Sequence, residues 1–131
     1  MDKSNTKINL LYRDASNYKT ALDVVVKGAI TRQQIKQIKS NLDDGQFIIA
    51  HQVGLPTPSF NFAGKDGWPN DDLDHVWTTL EDFEDDPEPE ELHTSDVSTV
   101  GMTIEQLANA IANAKWDIAA EMERMAAACK S

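Results

Sequence analysis

Apolar and polar residues alternate twice near the start of the chain. Over Lys7–Tyr12, Ile8, Leu10 and Tyr12 fall on one side and Asn9 and Leu11 on the other. Over Tyr18–Lys27, Leu22, Val24 and Val26 oppose Asp23, Val25 and Lys27. A period of two is the signature of a strand with one buried face. The intervening Asp14-Ala15-Ser16-Asn17 is rich in turn formers, so the two segments predict a β-hairpin.

The period then changes. Gly28 breaks the second strand, and Thr31 with Gln34 three residues on forms a capping-box signature. Ile35, Ile38 and Leu42 recur at helical spacing, with Ile30 supporting them from outside. Asp43-Asp44-Gly45 ends this helix, Gly45 serving as its left-handed C-terminal residue. Phe47–Val53 alternates again and predicts a third strand.

Residues 54–70 have no period but contain three Pro, three Gly, Phe60, Phe62 and Trp68, and read as a long surface loop. Leu73, Val76, Trp77, Leu80 and Phe83 predict a helix over 71–83. Its C-terminal end is poorly matched to the helix dipole, because Glu81, Asp82, Glu84, Asp85 and Asp86 crowd there. Residues 85–99 read as an acidic, then Ser/Thr-rich, linker. Thr103 and Gln106 form a second capping box. Ile104, Leu107, Ile111, Ala114, Ile118, Met122 and Met125 predict one long C-terminal helix over 103–128. The expected fold is α+β: a small antiparallel β-β-α-β sheet covered by the first and last helices, in a single domain over 1–131.

Charge sharpens the picture. The formal net charge is −10, and 13 of the 22 acidic residues lie between Asp66 and Asp96, a stretch without Lys or Arg. Such a block sets a long-range field and repels phosphate backbones and anionic membranes. No apolar run approaches the length of a membrane span, and the single cysteine, Cys129, forms no internal disulfide. The chain reads as a soluble cytoplasmic protein.

Catalytic signatures are sparse. There is no Gly-x-Ser-x-Gly elbow and no phosphate-binding glycine loop, and Cys129 has no nucleophile context. Asp71, Asp72, Asp74 and His75 are closely spaced oxygen and nitrogen donors, with Glu90, Glu91 and His93 nearby. They lack the EF-hand pattern, so the aspartates read as helix caps and no metal or other cofactor is expected. His51 reads as a structural residue on the third strand. The better interaction candidates are aromatic: Phe60 and Trp68 beside the acidic block, with Trp77 assigned to the core by its phase. The alanine-rich last helix, ending in Met122 and Met125, is a candidate homodimer surface.

The segments Leu10–Lys19, Leu42-Asp43-Asp44-Gly45 and His51-Gln52-Val53-Gly54-Leu55-Pro56 resemble small bacterial and phage proteins of no assigned activity. The resemblance spans residues 8–83. It implies a compact α+β fold in a bacterial or phage context and transfers no functional residue.

The leading expectation is a non-enzymatic interaction or regulatory protein that binds a basic protein partner through Glu81, Asp82, Glu84, Asp85, Asp86, Phe60 and Trp68. One alternative is a phage-type inhibitor that mimics nucleic acid with its carboxylates. Another is a small hydrolase or metal-dependent enzyme built on His51 or His75.

Overall fold

A computed structural model describes residues 3–13, 19–62 and 75–129 of the chain. β1 (Asn5–Arg13) and β2 (Lys19–Lys27) form the expected antiparallel hairpin, in register from Asn5 opposite Lys27 to Arg13 opposite Lys19. Thr6, Ile8, Leu10, Tyr12, Val24 and Val26 are buried on its core face. Thr6 is a polar residue there, but its hydroxyl donates to the Gly28 carbonyl at 2.7 Å and accepts from the Ile30 N–H at 2.9 Å. Both hydrogen-bonding roles are filled, so its burial carries little penalty.

Gly28 turns the chain at φ +99°. Thr31 then caps α1 (Arg32–Asn41) with both bonds of the capping box. The helix does not end on Gly45, as its sequence suggests. Leu42, in extended conformation, is the cap. Asp44 and Gly45, both at positive φ, instead form the tight turn into β3 (Phe47–Ile48), closed by Gln46 N–H to Asp43 C=O at 3.0 Å.

The third strand is also shorter than its alternation predicts. Ile49 and Ala50 are consecutive and both fully buried, which a strand with one buried face does not allow. The chain coils into a 3-10 turn over Ala50–Val53, and Gly54 at φ +86° closes it. A second such turn spans Pro58–Phe62.

The helix expected over 71–83 is absent from its described part. Residues 75–83 hold β4 (Thr78–Thr79) and a 3-10 turn at Glu81–Phe83. Val76, Leu80 and Phe83 are buried as their spacing requires, but so is Thr78 between them. The strand avoids stacking five acids on the negative end of a helix, and β-branched Thr78 and Thr79 suit it. β4 pairs with β3 and touches β1 at Leu11.

Residues 85–99 are part of the fold rather than a linker. α2 (Pro89–Leu92) leads into β5 (His93–Thr94), which pairs with β1 at Asn5 and Thr6. The chain then crosses the outer face of the hairpin, where Asp96 meets Lys7 at 2.9 Å and its carbonyl accepts from the Asn5 side chain at 2.8 Å. It reaches the far edge of β2, where Thr99 takes both backbone groups of Val25 and Met102 C=O accepts from Lys27 N–H. Residues 95–103 are thus a strap across the sheet.

The last helical region divides into α3 (Ile104–Ala112) and α4 (Ile118–Cys129). α3 carries the Thr103–Gln106 capping box. At the break, Gln52 grips Asp117 through two bonds, donating to its carbonyl at 2.9 Å and accepting from its N–H at 3.0 Å. The Asp117 carboxylate caps α4 through Ala120 N–H. One continuous stripe would have required Ile118 inside, yet it is 49 % exposed.

The sheet order is β2-β1-β4-β3, with β5 joined to β1 beyond β4. The fold is α+β. The main core lies between the inner sheet face and α1 and α3, where Ile8, Leu10, Val24, Ile35, Ile38 and Leu107 meet. Leu22 packs partly against this core, whereas Ile49 belongs to a smaller cluster with Val76 and Met125. Glu121 is buried in α4, held by Arg124 at 2.8 Å; Arg124 also donates to Thr57 and covers the Phe60 ring at 4.2 Å. No helix of the described residues is long and apolar enough to cross a membrane.

Candidate functional site

Among the described residues, two concave regions open on the outer sheet face, on either side of the turn at Glu81–Phe83. The larger is a groove of about 420 Å³ lined by Leu11, Arg13, Gln46, Phe47, His75, Trp77, Thr79, Glu81 and Glu84. Its floor follows from strand alternation. Leu11, Thr79 and Phe47 are opposite one another across β1, β4 and β3, so their side chains share one face, and Ile48 and Thr78 take the other. Trp77 stands beside Phe47, ring centroids 6.3 Å apart, and meets Trp116 edge-on, also at 6.3 Å. The partly buried indole rests on the small cluster under α4 and keeps a face in the groove.

His75 braces this corner. Its Nδ1 accepts from the Trp77 N–H at 3.0 Å, which places the ring proton on Nε2, and Nε2 donates to the Arg13 carbonyl at 2.7 Å. Tyr12 lies against the ring, centroids 4.9 Å apart, and its hydroxyl accepts from the His75 N–H. Both imidazole nitrogens are committed to the backbone, so His75 here holds the groove wall rather than a metal. Asp71, Asp72 and Asp74 lie outside the described residues. Among the described residues no three metal-capable side chains converge. His93 Nε2 bonds the Ile30 carbonyl at 2.8 Å, and His51 sits exposed on its 3-10 turn rather than on a strand.

The sequence-derived interaction residues separate into distinct roles. Glu81 and Glu84 are exposed on the groove rim. Asp85 is exposed, and Asp86 and Glu88 gather around Arg32 of α1, Asp86 at 3.7 Å. Phe60 lies beneath Arg124, packed on the Ile49–Val76–Met125 cluster, and is not part of the groove lining. Trp68 is outside the described residues.

Asp82 has a different task. β4 and β5 occupy two ends of the same β1 edge, leaving a gap at Asn9. Asp82 Oδ2 fills the gap by accepting from the Asn9 N–H at 2.8 Å. Burial pushes its carboxyl above the usual range; the Asn9 bond opposes this, and the charges of Asp23 and Glu81 add to it. The smaller concavity, about 320 Å³, lies beyond it and includes Lys7, Asn9, Asp23, Asp82 and Glu91.

Of the residues that line the groove, the sequence singles out the rim acids Glu81 and Glu84 as interaction candidates, assigns Trp77 to the core, and marks neither Phe47, Leu11 nor Arg13. The signal for Leu11 and Arg13 was present, since both are outward positions of a strand that alternates cleanly. Phe47 and Trp77 depended on the pairing of β3 with β4, which no local pattern reveals. Set against known protein families, curated proteins and solved structures, the chain matches none.

Proposed function

We propose that this chain is a non-enzymatic interaction protein that takes a basic segment of a partner protein in the outer-face groove. One observation carries the reading: the Phe47–Trp77 floor lies beside Glu81 and Glu84, exposed carboxylates with no cationic partner among the described residues. A Lys or Arg side chain suits this chemistry. Its methylenes lie along Leu11 and Phe47, and its charged head meets the Trp77 face and the two carboxylates. Asp82 is excluded from the contact set because it serves the sheet.

Lysine- and arginine-rich peptides, titrated while tryptophan emission is followed, test the proposal. Glu81→Gln with Glu84→Gln should weaken binding roughly tenfold, as loss of two charge-assisted contacts implies. The association rate should fall as salt rises, since exposed charges are screened over about 8 Å at physiological ionic strength. Affinity indifferent to both changes refutes the assignment.

A further inference from the structure

The strap along β2 stops short. It takes the outward backbone groups of Val25 and Lys27, through Thr99 and Met102. The outward groups of β2 belong to its odd-numbered residues, so those of Lys19, Ala21 and Asp23 remain. Among the described residues none of these three bonds to anything beyond the hairpin. All three residues are exposed, and β2 is the terminal strand of the sheet. An edge of this kind is a template for another strand.

Charge selects the occupant. Lys19 and Asp23 flank Ala21 symmetrically and share the outer face, opposite Arg13 and Asn9. In an antiparallel pairing of two such edges about Ala21, Lys19 faces the partner's Asp23 and Asp23 faces the partner's Lys19. Lys19, Ala21 and Asp23 all fall at hydrogen-bonded positions of that ladder. The charges that would block an unrelated strand therefore match across a two-fold axis.

We propose that β2 pairs with β2 of a second copy of this chain, through Lys19, Ala21 and Asp23, to give one continuous antiparallel sheet. This surface is distinct from the C-terminal helix considered from sequence. The axis stands perpendicular to the sheet, so both grooves open on the same side and a dimer presents two of them. The proposal stands whether or not the groove binds a basic segment.

Sedimentation velocity from micromolar to millimolar protein tests it, with circular dichroism as a check on folding. Wild type should show a concentration-dependent monomer–dimer equilibrium. Lys19→Asp alone, or Asp23→Lys alone, replaces two attractive cross-strand pairs with two repulsive ones and should raise the dimer dissociation constant about tenfold or more. The Lys19→Asp, Asp23→Lys double variant restores complementarity and should recover most of the loss. A wild-type chain that stays monomeric throughout overturns the proposal. So does a dimer that ignores the single changes, or one the double change does not rescue.

Discussion

Replacing Asp82 by Ala and by Asn separates two effects that a single neutralisation would merge. Asp82 is half-buried, and its Oδ2 accepts from the Asn9 N–H in the gap between β4 and β5. Alanine removes the acceptor and leaves that N–H without its partner. A buried backbone donor in that position costs about 1–3 kcal/mol, and partial solvent access brings the expected loss to about 1–2 kcal/mol. Asparagine keeps an oxygen in place and removes the charge that burial, Asp23 and Glu81 all disfavour. Its effect at neutral pH should lie within about 0.5 kcal/mol of wild type or be stabilising.

Acidity supplies a second handle. Folding raises the Asp82 carboxyl above its ordinary value, so its contribution is most favourable below that value and is lost as pH rises through the folded one. Any advantage of Asp82→Asn should therefore shrink on acidification. Asp96 acts in the opposite sense. The bond from Lys7 holds its carboxyl below the ordinary range, so its contribution is lost as pH falls. Comparing each variant with wild type at each pH cancels the Asp96 contribution. Urea unfolding of the three proteins at neutral and acid pH gives the measurement. Equal stability of the Ala and Asn variants at neutral pH would refute the edge-capping role.

Two further outcomes follow from the packing. Ile35→Ala and Leu107→Ala, both fully buried where α1 meets α3, should each cost about 2–5 kcal/mol in denaturant unfolding, and a loss below about 0.5 kcal/mol at both would contradict the shared core. Gly28→Ala should cost about 1–3 kcal/mol, because φ +99° strains an L-residue and the new Cβ would sit 3.1 Å from Ile104 Cγ2; a neutral change in melting temperature would count against it.

What was legible in the sequence was local. The hairpin follows from two runs of alternation joined by a turn, and each capping box needs only residues three apart. The same logic failed where distant chain decides. Val76, Leu80 and Phe83 satisfy a helical spacing, yet the same three side chains also bury from the residues flanking a short strand and from a 3-10 turn once β3 and β1 offer partners. The crowding of acids after Leu80 was the warning that a helix there would be electrostatically poor. Asp82 read as one more surface acid because nothing near it in sequence names Asn9. The groove shared this difficulty: its rim was visible as charge, while its floor exists only through the pairing of β3 with β4.

The strap has a consequence in time. The two strands of the hairpin are only five residues apart in sequence and α1 follows them directly, so both can form early. Asp96 meets Lys7 and Asn5 only after most of the chain lies between them, and Thr99 and Met102 meet β2 later still in sequence. Contacts that close such long loops come late on the folding path. Weakening the strap should leave the folding rate nearly unchanged and quicken unfolding. The segment that reads as a spacer is then the latch that sets how long the native state persists.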